Sequence, residues 1–359
     1  FHIDALRIDA IHGIFDFSAC HFLQELSETI YSRAQKLGRK VCIIAESDLN
    51  DSRVVRSPEL GGFGLSAQWS DDFHHSVHAI LTGESQGYYQ DFGKVEFLAK
   101  AFKEGFVYSG QRSQYRKRRH GNSSRCIAPH RFVVFSQNHD QVGNRPLGDR
   151  LTAVLDLEAL KLVAGLVMLS PFTPLLFMGE EYGETAPFPY FVSHSDPELI
   201  EAIQKGRKEE FAHVDGIDGP FAPHDEATFL AAKLRQDLLE KAKHLLLFDF
   251  YKNLIAIRKK IIRLIGADNR DMTVEFSEKF KYLIMNRSVE EMGFCVIFHL
   301  GFDPSVLSVP VEEGNWSKLL DSSEIEWGGK GSQIGSSIIS DGEVSLRFGP
   351  CCFVLFQRI

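Results

Sequence analysis

The chain has 359 residues, 44% hydrophobic and 25% charged, which is long enough to bury a large core and too apolar for a disordered segment. A formal net charge of −8 and a pI near 6.0 exclude a general nucleic-acid binder, which carries a basic surplus. The longest apolar stretch, GLVMLSPFTPLLFM, is broken by Pro171 and Pro174 and is too short to span a bilayer.

In chain order, Ala5-Leu6-Arg7-Ile8 reads as a strand ending in Asp9. Phe22 to Leu37 repeats Phe22, Leu26, Ile30 and Ala34 at helical steps, and Gly38 is placed as its stop. Val41 to Ala45 is an apolar strand ending in Glu46, and Ala67-Gln68-Trp69 is a further strand. Arg131 to Phe135 is another, running into Gln137-Asn138-His139-Asp140. Leu157 to Leu169 is apolar on nearly every face, so a buried helix is expected. Pro174 to Met178 reads as a strand before Gly179-Glu180-Glu181, and Phe250, Leu254, Ile257 and Ile261 mark a last amphipathic helix.

Strands that are apolar throughout and alternate with helices predict parallel pairing covered by helices, an α/β fold. Polar residues gather at the C-terminal ends of these strands, where such folds place their chemistry. About five strands can be counted and a (β/α)8 barrel needs eight, so the expectation is the C-terminal portion of such a barrel, with the other strands upstream. From about residue 268 short strands follow, over 281–285, 294–300, 306–309, 344–348 and 351–356, separated by Gly, Ser, Asn and Asp. They predict a small antiparallel β-sandwich over 266–359, after a partial barrel over 1–265. Six cysteines without CxxC or zinc spacing, together with the lack of a signal-like start, predict reduced thiols and a cytoplasmic location.

Asp9, Glu46 and Asp140 each end a predicted parallel strand, so one rim of a barrel would bring them together. Converging carboxylates repel, and at least one should be held protonated near neutrality. A protonated acid beside an ionised carboxylate about 5–5.5 Å away is the requirement of retaining glycoside hydrolysis. Arg7 projects from the same strand face as Asp9 and would keep it ionised; the apolar strand before Glu46 suits a general acid. His139 offers a hydrogen-bond donor to a sugar hydroxyl. The alternative is that these acids merely cap helices or face solvent.

These segments resemble the α-amylase superfamily of glycoside hydrolases. Ala5 to Ala10 is similar to its nucleophile segment, Ile44-Ala45-Glu46 to the acid/base segment and Asn138-His139-Asp140 to the third-acid segment, in matching order. The resemblance implies Asp9 as nucleophile, Glu46 as acid/base, Asp140 as the acid that grips the sugar, and Arg7 and His139 as substrate-positioning residues. Within the superfamily, Gln68 to His75, Glu104 to Tyr108, Phe135 to Arg145 and Leu175 to Phe211 resemble the maltooligosyltrehalose trehalohydrolase family. That likeness runs to about residue 262. It implies a maltooligosyl trehalose or other α-glucan substrate, no cofactor or metal, and no nucleic-acid or membrane partner. A branching enzyme shares the three catalytic segments and stays open as an alternative, as does a glucan-binding fragment without turnover.

Other residues carry two readings each. Asp72 suits a polar contact at the substrate cleft or a helix N-cap. Glu181 and Tyr182 end a barrel strand and are placed in the cleft, whereas Trp69 is either a sugar platform or core. His74 and His78 are spaced to share a helix face as metal ligands, but without HExxH they read better as rim or packing residues. The basic run Tyr115 to His120 reads as a solvated excursion rather than a nucleic-acid patch.

Overall fold

A computed structural model describes residues 2–211, 222–266 and 272–359. Five parallel strands form the first sheet: β1 (Ala5–Ile8), β2 (Cys42–Ala45), β3 (Ala67–Trp69), β4 (Phe132–Val134) and β5 (Thr173–Pro174), ordered as in the chain. Nine helices are described in this half: α1 (Phe22–Lys36), α2 (Asp71–Thr82), α3 (Val95–Glu104), α4 (His139–Gly143), α5 (Leu151–Val154), α6 (Leu157–Leu169), α7 (Pro197–Glu210), α8 (Glu226–Ala231) and α9 (Ala242–Ile265). This is the C-terminal portion of a (β/α)8 barrel, with edges at β1 and β5.

Strand alternation sorts the side chains. Ile43 and Ala45 of β2 face outward and pack with Leu23 beneath α1. Ala67, Trp69, Val133 and Phe135 pack together on the opposite, inner face with Ile44 and Leu175. Residues two positions beyond such inward side chains therefore arrive at the rim. Helix α1 ends as its sequence predicts: Gly38 has φ +64°, and Arg39 N–H turns back to Ala34 O at 2.9 Å. Helix α6 begins at Asp156, whose side chain accepts from Ala159 N–H at 2.9 Å. It is apolar all round because it lies between the barrel and the second sheet, with Gly165 against Phe353.

The second sheet is antiparallel and six-stranded: β6 (Met272–Ser277), β7 (Tyr282–Val289), β8 (Met292–His299), β9 (Ser305–Asp321), β10 (Ser337–Phe348) and β11 (Cys352–Arg358), in the order β10-β9-β11-β8-β7-β6. One apolar face, with Phe298, Phe353 and Leu355, shares a core with α3, α6 and α9. The other buries Ile297, Val309, Trp316, Leu346 and Phe356. Strand β9 pairs with β11 through its second half and with β10 along both halves, shifting register near Val311 to Gly314. Folding there places Leu307 and Val309 over Ile297 and Val354, which makes the two layers of the sandwich.

The elements depart from expectation in three places. The strand expected over 174–178 is a two-residue ladder, because Pro174 has no N–H and the chain turns away at Gly179, φ +87°. Strands β9 and β10 are much longer than 306–309 and 344–348, the extra length being hidden by Pro310, Gly314 and Gly342. Strand β6 went unrecognised, its alternation being diluted by exposed polar residues. The boundary placed at 265/266 adjoins residues 267–271, which lie outside the described residues. None of the six cysteines is in a disulfide, and among the described residues no helix is long and apolar enough to cross a membrane.

Candidate active site

Arg7 is the second-last residue of β1, facing the same side as Asp9 just beyond the strand. Its Nη1 donates to Asp9 Oδ1. Its Nη2 lies 3.8 Å from Glu46 Oε2 and 3.9 Å from Asp140 Oδ2. One guanidinium thus meets all three carboxyls that the sequence singles out, brought from the ends of β1 and β2 and from the start of α4. Each unscreened like-charge pair near 4 Å would cost about 4 kcal/mol at an effective dielectric of 20, so a central cation is what lets the acids converge. The underside of Arg7 rests on the Trp69 ring at 4.4 Å, and Trp69 is buried. Trp69 is therefore the seat of the arginine, the core alternative of its two readings.

The backbone turns sharply after Asp9. Ala10 adopts φ 41° and ψ 49°, a left-handed conformation that an alanine holds at a cost on the order of 1 kcal/mol. That turn points Ala10 N–H at Glu46 Oε2, 2.5 Å away, and Ile11 N–H at Glu46 O, 3.1 Å away. The strained residue thereby fixes the Glu46 carboxyl against the Asp9 loop. The Asp9 side chain is 77% exposed and that of Glu46 15%, so the former is open to an incoming ligand and the latter is held from below.

Asp140 sits in the first turn of α4, which is closed by a capping box. Asn138 Oδ1 accepts from Asp140 N–H at 2.8 Å and from Gln141 N–H at 3.3 Å, while Gln141 Oε1 accepts from Asn138 N–H at 3.1 Å. His139 Nε2 lies 3.3 Å from Asp140 Oδ1 and its ring stands edge-on to Trp69, so His139 and Asp140 face the opening as a pair.

Asp72 does not reach the cleft. It is buried, and one oxygen accepts from Asn50 Nδ2 at 2.7 Å, Val107 N–H at 2.7 Å and Tyr108 N–H at 2.9 Å. It caps no helix end but pins the loop after α3, which neither sequence reading anticipated. Tyr182 is also buried and donates its hydroxyl to Glu184 Oε2 at 2.9 Å. Glu184 is itself held by the Thr185, Ala186 and Arg235 amides, so Tyr182 belongs to a loop scaffold. Glu181 is half-buried beside Arg150, Tyr182 and Tyr251, and it forms no ion pair with Arg7. Its neighbour Glu180 accepts from Ser136 Oγ at 2.8 Å and Tyr251 Oη at 2.9 Å, and burial lifts its pKa to about 7.

The histidines are packing residues. His74 Nδ1 lies 2.5 Å from Ser136 O and its Nε2 3.0 Å from Tyr89 Oη, while His78 Nε2 meets Glu84 Oε2 at 3.0 Å. Burial pushes the pKa of His74 well down and that of His75 to about 3. Within the basic run, Arg116 folds inward to Asp48 at 2.9 Å and is largely covered.

A carboxyl with a raised pKa at this rim is one not selected from the sequence. Asp71 follows β3 at the same rim, and burial, reinforced by the charges of Glu46, Asp48, Asp72 and Asp140, lifts its pKa to about 8. The clue was present in the doubled acid Asp71-Asp72 at a strand end, but alternation decides which of two neighbours faces the cleft, and the sequence leaves that open.

No family model matches the chain. It is 46% identical over 263 residues to a malto-oligosyltrehalose trehalohydrolase of Arthrobacter ramosus, covering 72% of this chain and 46% of that protein. It is 39% identical over 315 residues to the malto-oligosyltrehalose trehalohydrolase of Mycobacterium tuberculosis (strain ATCC 25618 / H37Rv), covering 87% of this chain and 54% of that one. Among solved structures, a putative α-amylase from Salmonella typhimurium superposes with a TM-score of 0.82 at 30% identity, covering 100% of this chain and 57% of that chain. The chain spans about half the length of the curated relatives it matches. Over that span it is similar to the malto-oligosyltrehalose trehalohydrolases, and its fold is that of the α-amylases.

Proposed function

We propose that the chain carries the catalytic carboxyls of a retaining glycoside hydrolase. Its substrate is a maltooligosyl trehalose, cleaved at the α-1,4 bond next to the terminal trehalose to release trehalose. The observation that supports this most is the convergence of Asp9, Glu46 and Asp140 on the single guanidinium of Arg7. The names carried by the relatives point to the same substrate.

In this reading Asp9, aligned by Arg7, attacks the anomeric carbon while Glu46 delivers its proton to the glycosidic oxygen. Trehalose departs and a glycosyl–Asp9 ester remains. Glu46, now the base, takes a proton from water, and the hydroxide so formed breaks the ester and restores both acids. Asp140 and His139 hold the hydroxyls of the sugar whose glycosidic bond is cut, and Asp140 stabilises the positive charge that develops on its ring.

The test uses protein expressed from its native reading frame, incubated separately with maltotriosyl trehalose and maltopentaose. Trehalose from the first, with little cleavage of the second, is expected. Equal cleavage of both, or branched products without trehalose, overturns the substrate assignment. Asp9→Asn should lower turnover on the order of 10⁴-fold with the fold intact by circular dichroism; ordinary turnover in that variant overturns the nucleophile.

A further inference from the structure

The rim holds a fourth carboxyl whose placement the hydrolytic cycle does not use. Asp71 is the first residue of α2, half-buried, and its Oδ1 accepts from Gln141 Nε2 at 3.4 Å. The other end of the same amide closes the capping box: Gln141 Oε1 accepts from Asn138 N–H at 3.1 Å, and Asn138 Oδ1 accepts from Asp140 N–H at 2.8 Å. Asp71 is thus one side chain removed from the turn that presents His139 and Asp140.

Its electrostatic surroundings are one-sided. Glu46 and Asp48 face it from the segment after β2, Asp72 from its own helix, Asp140 from α4, and the Tyr88 hydroxyl from the turn after α2. The nearby cations are engaged elsewhere: Arg7 with Asp9, Glu46 and Asp140, and Arg116 with Asp48. Among the described residues no cation forms an ion pair with Asp71. A carboxylic acid satisfies such a place, because its carbonyl oxygen accepts the Gln141 amide without adding charge. An ionised Asp71 would accept that amide more strongly, but as a fourth or fifth negative charge without a partner it would repel Asp140 on the very turn it supports.

We propose that Asp71 is a neutral positioning acid of the substrate cleft, holding the Asn138–Gln141 turn, and with it His139 and Asp140, in the geometry that grips a glucan. The proposal rests on the reading of Asp140 as a glucan contact. Ionisation of Asp71, with its midpoint near 8, then releases the turn and weakens binding on the alkaline side.

The experiment compares the protein with its Asp71→Asn and Asp71→Ala variants, titrating maltoheptaose calorimetrically from pH 6 to pH 9. Asparagine keeps a neutral carbonyl acceptor and cannot ionise. Affinity of the unaltered protein should fall about tenfold between pH 7 and pH 9, the loss expected one unit above a midpoint near 8 when the ionised form does not bind. Asp71→Asn should bind as tightly at pH 7 and lose no more than about twofold by pH 9. Asp71→Ala should bind more weakly at every pH. An alkaline loss of equal size in Asp71→Asn, or affinity at pH 7 no better than that of Asp71→Ala, overturns the proposal. A second readout needs no ligand: the side-chain amide of Gln141, followed by NMR, should titrate near pH 8 in the unaltered protein and not in Asp71→Asn. If maltoheptaose binds at no pH, the glucan reading falls while the Gln141 titration still decides the role of Asp71; a midpoint in the ordinary carboxylate range overturns that role.

Discussion

Asp71 and Asp72 are adjacent acids with opposite fates, and the difference is a matter of which way each side chain leaves the start of α2. Asp71 points to the cleft without a cation, whereas Asp72 points inward, where three donors converge on one oxygen. Asp72→Ala would leave the Val107 and Tyr108 N–H groups without an acceptor and the Asn50 amide with its longer bond to Tyr108 O at 3.3 Å. A loss of about 3 kcal/mol in urea unfolding is expected, since orphaned buried donors cost their desolvation; a change below about 0.5 kcal/mol would show that the loop is held otherwise. Arg7 is a residue of the other kind, supported by Trp69 from beneath and by carboxyls around its edge. Lysine keeps the charge but not the flat stacking face or the fork, so Arg7→Lys should lower kcat/KM about 100-fold while leaving stability nearly unchanged. Steady-state kinetics on maltotriosyl trehalose decide this, and near-normal kcat/KM would deny the guanidinium its organising role.

Between elements, the close approach of α6 to β11 depends on one missing side chain. A Cβ on Gly165 would come within 2.4 Å of Phe353 Cε1, in the core where Phe250, Phe298 and Phe353 meet. Gly165→Ala gains about 1 kcal/mol of helix propensity. Against that, displacing a buried aromatic ring from a packed core costs about 1–3 kcal/mol. The overpacking term should win, giving net destabilisation by chemical unfolding. A more stable variant would mean that Phe353 can shift freely. The strained Ala10 is the counterpart at the rim, where a left-handed residue ties the end of β1 to Glu46.

Across the molecule, the barrel helices and the second sheet share one core, and a buried lysine of α6 ties them by donating to carbonyls next to the sheet. Lys161 on α6 is fully buried, 3.0 Å from Glu158 and bonded to the carbonyls of Ser322 at 2.5 Å and Trp327 at 2.9 Å. Lys161→Met would strand Glu158 and both carbonyls, so a loss of about 3 kcal/mol is expected. Unfolding that stays a single transition would support one cooperative unit, whereas the sheet melting separately would mean that the shared core does not couple them. Stability should also fall with rising pH between about 7 and 8.5. Asp71 and Glu180 have pKa values raised to about 8 and about 7, so the folded chain holds protons that the unfolded chain has already lost. Their contribution is complete below the unfolded carboxyl pKa and disappears as pH rises through the folded values. His74 and His75, shifted downward, stop contributing to the slope above about 6.5. The slope should approach 1.4 kcal/mol per pH unit for each retained proton, and Asp71→Asn should flatten it. A flat profile in the unaltered protein would contradict the raised values.

The sequence by itself determined the alternation of apolar strands with helices, the Gly38 stop of α1, the all-round burial of α6 and the placing of Asp9 and Glu46 at strand ends, whereas Asp140 falls in the first turn of α4. These follow from local periodicity and from the rule that parallel strands carry polar residues at their C-terminal ends. Tertiary structure decided which acids share a cation, because Arg7, Glu46 and Asp140 meet only after strands distant in the chain pair in register. It also decided that Trp69 serves Arg7, that Asp72 and Tyr182 serve loops, and that the pKa of Asp71 is raised. Solvation and the sum of neighbouring charges set a proton's affinity, and both come from residues brought together in space rather than from those adjacent in the chain.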